Sequence, residues 1–482
     1  MRQALSGLAR RGVGTALAAL FALWTGAVMA ETLPDAMVSA YKNSGLLDQQ
    51  RALLRAEDEN VAVAVSGLRP MLNYSASVNA QRSANSPSSP TTPALSDSLS
   101  ASLQLTASML LYDFGATKTR IAIARENVMM ARDSLVGAEQ NVLLNAVNAY
   151  LDVISANENV ALQANSVRLI TQELRAARDR FEVGEITQTD VSLAEARLAA
   201  ARSAEAAAQG SLMVAREAYK AAVGHYPGAV APPPAPPRIP NTVEAAKAQA
   251  RERHPDIKAA QRSVKVAEMA IELARKDMLP TLSANASATA TANSRTVYNP
   301  TVTSKGTNGT LSAGVSLSGP IYTGGRLSAL YRQARAQAEA SRAALLLATQ
   351  GIDQAVGNAW AQLSIATASL QATDRQIRAS RVALRGAREE AELGARTTLD
   401  VLNAEQELLD ALASQIQARS DQYAAIYGLL SAMGLLTADH LGLGIRTYDP
   451  EAYYNAVQGA PTRVVSPQGE KLDHILEVLG KQ

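Results

Sequence analysis

The 482-residue chain contains no cysteine, which excludes structural disulfides, thiolate metal sites and a lipidated N-terminal cysteine. Its four histidines, His225, His254, His440 and His474, are scattered without metal-ligand spacing, and no nucleophile motif or phosphate-binding loop accompanies them. Neither catalysis nor a bound cofactor or metal is therefore expected. Aromatic residues make up 4% and charged residues 19% of the chain, a composition unlike that of an ordinary enzyme core. Beyond the first 30 residues there is no run of ~18 apolar residues, so no transmembrane helix is expected.

The N-terminus carries Arg2, Arg10 and Arg11, then the apolar run GVGTALAALFALWTGA and the small-residue ending VMA. This is the layout of a removable export signal, with cleavage expected after Ala30; a membrane anchor would need a longer run of ~20 residues. Loss of residues 1–30, which hold three arginines and no acid, takes the formal charge from +2 to −1. A near-neutral chain gives no electrostatic reason to expect nucleic acid.

What the chain does have is an internal repeat at an offset of 210 residues. Pro70 recurs as Pro280, Leu72 as Leu282, Tyr112 and Gly115 as Tyr322 and Gly325, Tyr150 as Trp360, and Gly224 as Gly434. The turn FEVGEITQTDV repeats as AELGARTTLDV, with Gly184 matching Gly394 and Asp190 matching Asp400. No insertion or deletion is needed between residues 70 and 224, so the element lengths are expected to be fixed by what both copies must reach.

Each copy reads in one order. A helical segment, 36–68 or 246–278, ends before a proline. Strict alternation follows: Leu72, Tyr74, Ala76, Val78 and Ala80 oppose Asn73, Ser75, Ser77 and Asn79, and Leu99, Leu103, Leu105 and Met109 oppose Ser100, Ser102, Gln104 and Thr106. That is the period of a strand. Four strands of about ten residues suit a membrane barrel, with lipid on one face and water on the other. A soluble hairpin packed on a core is the alternative for any one pair alone. Four strands cannot close a barrel and open edges are not tolerated in lipid, so several chains are expected to share one.

After LYDFG and IYTGG the pattern turns helical for about 66 residues, ~100 Å at 1.5 Å per residue. The repeated turn ends this rod, and Thr187, Thr189 or Thr397 can cap the helix that returns from it. The expected domains are a signal peptide (1–30), a first repeat (31–224; strands about 71–81 and 99–111, helical hairpin about 115–224), a proline-rich belt (225–240), a second repeat (241–434; strands about 281–292 and 310–321, hairpin about 325–434) and a tail (435–482). In the tail, Leu472, Ile475, Leu476 and Leu479 could line one short amphipathic helix.

LYDFG, FEVGEITQTDV and ELGARTTLDVLNAEQELLDA together make the chain resemble the TolC-type outer-membrane efflux and type I secretion channel family, over nearly all of residues 31–434. The resemblance implies an α+β membrane protein acting as a homotrimer, with a shared twelve-stranded β-barrel in outer-membrane lipid and an α-helical periplasmic tunnel. It also implies a periplasmic adaptor, or membrane fusion protein, and an inner-membrane pump of the ABC or RND type. By the same resemblance Arg396, with Thr189 and Asp190, would latch the gate, Asp400 and Asn403 would stand at the aperture ring, and the turns at Gly184 and Gly394 would meet the adaptor. A family tyrosine is Ala391 here and a second ring aspartate is Asn403, which implies a looser latch and one carboxylate per chain. A trimeric surface adhesin or a periplasmic coiled-coil adaptor remains the competing class.

Overall fold

A computed structural model describes residues 30–85, 94–298 and 301–462. The expected signal peptide, the expected loop at 86–93 and the expected amphipathic helix of the tail lie outside the described residues. The elements in order are α1 (Leu33–Asn43), α2 (Gly45–Ser66), β1 (Met71–Asn85), β2 (Ala94–Tyr112), α3 (Ala116–Glu182), α4 (Gln188–Val223), α5 (Val243–Arg253), α6 (Pro255–Lys276), β3 (Thr281–Tyr298), β4 (Val302–Ser318), α7 (Arg326–Glu392), α8 (Thr398–Ala432) and α9 (Pro450–Val457). The order helix, helix, strand, strand, long helix, returning helix thus occurs twice.

Two expectations are corrected. The opening segment of each copy is a pair of helices broken at equivalent places, Ser44 and His254. Ser44 is extended (ψ 111°) before Gly45, and His254 (ψ 128°) is pushed out of the helical region by Pro255. The strands are also longer than ten residues, at 15, 19, 18 and 17. Hydropathy loses them because Gln81, Arg82 and Ser83 are polar on both faces, while the hydrogen-bonded ladder continues to Asn85↔Ala94. The last strand ends at Ser318, short of the expected 321, because Pro320 cannot donate to the ladder.

The chain forms two compact units. One gathers Gly137–His254, Ile352–Thr447 and the chain up to Asp48; the other gathers Gln49–Val136, Pro255–Gly351 and the chain from Tyr448. In the first unit each returning helix lies on the end of its long helix through a heptad seam. Val191, Ala194, Leu198 and Ala201 are buried on α4 against Ile170, Leu174 and Ala177 of α3. Moved by 210 residues, Val401, Ala404 and Leu408 meet Leu384 and Ala387 in the second hairpin. Spacings of three and four with small alanines at alternate seam positions let helices pack closely.

The proline-rich segment is held to this unit by backbone. Glu31 and Val230 form a parallel bridge, and the buried Tyr150 hydroxyl shares its one proton between the carbonyls of Ala231 (2.6 Å) and Glu31 (3.0 Å). Tyr219 donates to Glu31 Oε1 at 2.6 Å. Gly224, which closes α4 at φ +99°, has no room for a side chain, since an added Cβ would meet Asn43 at 2.7 Å.

The second unit holds one antiparallel sheet, order β1-β2-β3-β4. The second hairpin has the register of the first moved by 210 residues, so Leu72↔Ala107 becomes Leu282↔Leu317. β2 pairs with β3 across the two repeats. At the sheet-to-helix corner Asp113 accepts from the N–H groups of Gly115 (3.0 Å) and Thr117 (2.6 Å), starting α3. Burial pushes its pKa up, but hydrogen bonds from the Thr117 side chain and from the Thr117 and Gly115 backbone outweigh it and hold the carboxyl below 3.8. Around the sheet end, α9 docks on α2 and α3: Tyr453 donates to Glu59 at 2.8 Å and Arg132 to the Pro450 carbonyl at 3.2 Å.

Candidate functional site: hairpin tips and amphipathic sheet

Both hairpin tips are the same piece of geometry. Gly184 (φ +79°) and Gly394 (φ +75°) take the left-handed conformation. Glu185 N–H returns to Arg180 O at 2.9 Å and Ala395 N–H to Glu390 O at 2.8 Å, the six-to-one bond of a Schellman end. The next helix opens in each case with a capping box: Asp190 Oδ2 accepts from Thr187 N (3.0 Å) and Oγ1 (2.7 Å), and Asp400 Oδ2 from Thr397 N (3.0 Å) and Oγ1 (2.7 Å). Val183 and Leu393, next to the glycines, are largely exposed.

The aspartates are therefore ionised and anchored. Bonds from the threonine side chain and then its backbone hold both carboxyls below the usual 3.8. Both bonds at Asp400 go to Oδ2. Within the chain Arg396 reaches neither Thr189 nor Asp190; its Nε donates to Glu390 Oε2 of its own hairpin. Thr189 lies exposed in the first turn of α4. Asn403 accepts from Arg197 Nη2 at 2.9 Å and so ties the second hairpin to the first.

A second cross-hairpin contact was not anticipated from the sequence. Arg388 Nη2 stands 3.5 Å from Glu173 Oε1 on α3 and 3.6 Å from Glu405 Oε1 on α8. Glu405 is 7% exposed. Burial raises its pKa, Arg388 opposes the rise and Glu173 adds to it. A signal for this cluster was present: Arg178 and Glu195 flank the first turn where Arg388 and Glu405 flank the second. The first pair is an exposed ion pair at 2.5 Å.

The sheet separates polar from apolar side chains completely over its central part. One face carries Leu72, Tyr74, Val78, Leu103, Leu105, Leu311, Val315 and Leu317, and these are exposed, Tyr74 by 82% and Leu311 by 84%. The other carries serine, threonine and asparagine, with Ser77 bonded to Ser102 (2.8 Å) and Ser287 to Ser312 (2.7 Å) at equivalent places. Exposed leucines beside a hydrated serine face invert the pattern of a sheet in water.

Among the described residues no cluster of His, Asp or Glu could hold a metal, and no helix is long and apolar enough to cross a membrane.

Comparison with known proteins places these features in context. The family model described as outer membrane efflux protein matches residues 36–225 and 247–435, one match per repeat. The outer membrane efflux protein BepC of Brucella suis biovar 1 is 36% identical over 443 residues, 92% of this chain and 94% of that protein. The outer membrane protein TolC of Vibrio cholerae is 28% identical over 415 residues, covering 85% and 92%. Among solved structures, CusC superposes with a TM-score of 0.69 at 19% identity, over 84% of this chain and 92% of that one.

Proposed function

The chain belongs to the outer membrane efflux protein family, a family of channel proteins, and from that membership we propose how its parts build an exit duct in the outer membrane. The observation that carries the proposal is the sheet. It has an exposed apolar face, a polar face, and edges at β1 and β4 that pair with nothing in the described chain. Lipid does not tolerate such edges. In a homotrimer, β4 of one copy pairs with β1 of the next, giving twelve strands with leucine toward outer-membrane lipid and serine toward water.

The two hairpins of each copy then supply six tips to a periplasmic tunnel. Asp400, ionised and fixed by its own cap, lines the aperture with one carboxylate per chain, and Asn403, engaged by Arg197, adds none. Arg396 latches the closed state by leaving Glu390 for Asp190 and Thr189 of a neighbouring hairpin, a change of carboxylate partner that its fork of donors permits. The exposed Val183 and Leu393 beside Gly184 and Gly394 offer the apolar contact on which a periplasmic adaptor docks. An inner-membrane pump, ABC or RND in type, loads the duct and chooses the cargo. The proline-rich segment at 225–240 and the tail residues 435–447 form a belt around the helices.

Electron microscopy of the protein extracted in detergent from outer membrane tests the assembly. A three-fold particle with a helical stalk of ~100 Å is expected from the rise per residue. A monomer in the soluble fraction would refute it.

A further inference from the structure

The polar face of the sheet is nearly featureless in charge. Side chains that alternate onto it are Asn73, Ser75, Ser77 and Asn79 on β1, and they pair across to Thr106, Gln104, Ser102 and Ser100 on β2. β3 and β4 continue the face with Ser, Thr, Asn and Gly. Among the described residues of the four strands, Arg295 is the only charged residue with this parity. Its cross-strand neighbours are Ser98 on β2 and Ser304 on β4. The remaining strand charges, Arg82, Asp97 and Lys305, alternate onto the opposite, apolar face, where Arg82 and Asp97 are joined at 2.6 Å.

The level of Arg295 along the strands is equally informative. The helices join the sheet at Pro70, Tyr112 and Pro280, whereas Arg295 lies toward the other end, three residues from the close of β3. On the apolar face the run of leucines is interrupted at this level: Leu99 pairs with Ser294, the next outward pair is Asp97 with Thr296, and Leu95 with Tyr298 follows. Arg295 is exposed and has no hydrogen bond or ion pair among the described residues. The equivalent position in the first repeat is Asn85, so the charge occurs once per chain.

We propose that Arg295 forms a ring of three positive charges in the exit mouth of the duct and makes that mouth selective for anionic solutes. The inference rests on the trimeric reading above. Twelve strands ~4.8 Å apart and tilted by ~40° enclose a barrel of diameter ~24 Å. Side chains reaching ~6.5 Å inward put the guanidinium groups about 10 Å apart, and the axis lies within one Debye length of ~8 Å from each at physiological salt. Among the described residues of the four strands no acidic side chain shares this face to neutralise them. Rings of arginine are the general device by which pores favour anions and phosphorylated solutes. The duct thus carries opposite fixed charges at its ends, carboxylates of Asp400 at the entrance and guanidinium groups at the exit.

The test uses the full-length channel in planar bilayers under a potassium chloride gradient, as wild type, Arg295→Gln and Arg295→Glu. The anion-to-cation permeability ratio is expected to fall at least twofold in Arg295→Gln and further in Arg295→Glu. Both differences should vanish near 1 M salt, where the Debye length is about 3 Å. Because the chain has no cysteine, Arg295→Cys gives a single thiol. A sulfonate-bearing methanethiosulfonate added from the loop side should modify it and change the conductance. A conducting channel whose permeability ratio is the same in all three proteins, or whose introduced thiol does not react, overturns the proposal. A wild-type preparation without three-fold, conducting particles removes the trimer itself, and the ring with it.

Discussion

Arg388→Met isolates the value of a buried charge at the hairpin tips, and the repeat supplies its own control. Glu405 is 7% exposed and neither of its oxygens has a hydrogen bond. Its nearest cation is Arg388, which Glu405 shares with Glu173. Deleting one partner of a fully buried pair costs about 3–5 kcal/mol because a carboxylate is left uncompensated. Arg388 and Glu173 are 39% and 32% exposed, so solvent screening reduces the expected loss to about 2 kcal/mol. At about 1.4 kcal/mol per tenfold, backbone amides in the first turns of α8 should exchange roughly 30-fold faster at pH 7. Arg178→Met removes the equivalent arginine from an ion pair whose members are 55% and 48% exposed, and there the loss should stay below about 1 kcal/mol. Glu405→Gln should be neutral or stabilising, since it removes the charge that burial penalises. The pH sign follows. Glu405 has a folded-state pKa raised above 4.5, so its contribution is most favourable below 4.5 and is lost as pH rises through the raised value. Glu405→Gln should flatten that part of the profile. Hydrogen–deuterium exchange on the solubilised channel reads all three variants. Equal acceleration by Arg178→Met and Arg388→Met, or a Glu405→Gln as costly as Arg388→Met, would refute the reasoning.

Arg396→Ser should raise the conductance of the isolated channel, and a closed-state conductance equal to wild type would remove Arg396 from the gate. Asp400→Ala should reduce cation selectivity in the same recordings. In wild type that selectivity should survive below pH 3.8, because the capping bonds hold the Asp400 carboxyl below that value; loss of selectivity already at pH 5 would contradict the anchored aspartate. Gly184→Ala and Gly394→Ala should each cost about 1–2 kcal/mol from backbone conformation alone, since nothing lies within 4 Å of an added Cβ. Gly224→Ala should cost more than either, because its Cβ would also strike Asn43 at 2.7 Å; equal melting shifts for all three would show that this contact yields freely.

How much was legible in the sequence depended on whether one chain sufficed to satisfy the physics. The turn glycines and the threonine caps are local, and their residue types announced them. The 210-residue offset went further and carried over into strand register, because a two-residue side-chain period cannot drift without turning leucine away from lipid. The helix breaks at Ser44 and His254 were hidden by apolar periodicity that resumes on both sides. The strand ends were hidden where both faces turn polar. The Arg388–Glu405 pair was foreshadowed by Arg178 and Glu195 one repeat earlier, but the Glu173–Arg388 and Arg197–Asn403 contacts were invisible because they depend on how one hairpin meets the other. Pattern within either hairpin is silent on that.

The differences between the copies are as instructive as their agreement. Where backbone demands are shared the residues agree, as with Gly184 and Gly394 or Val191 and Val401. At the corner after the sheet they solve one demand differently: Phe114 takes φ +53° with its ring 4.8 Å from Tyr112, where the second copy uses Gly324 at φ +62°. Some polar side chains, by contrast, belong to one copy only, although Asp190 and Asp400, Arg178 and Arg388, and Glu195 and Glu405 are kept in both. Ile186 stands opposite Arg396 in the repeat, Leu193 opposite Asn403, and Asn85 opposite Arg295. Six equivalent tips would repel one another more if each carried the same arginine, and six arginines in one mouth would raise that repulsion again. Putting the charge on alternate units halves the number of like charges and leaves the uncharged units as neighbours. A duplicated chain that trimerises can therefore keep six-fold packing for its walls and three-fold chemistry for its two ends, a division unavailable to a hexamer of identical single repeats.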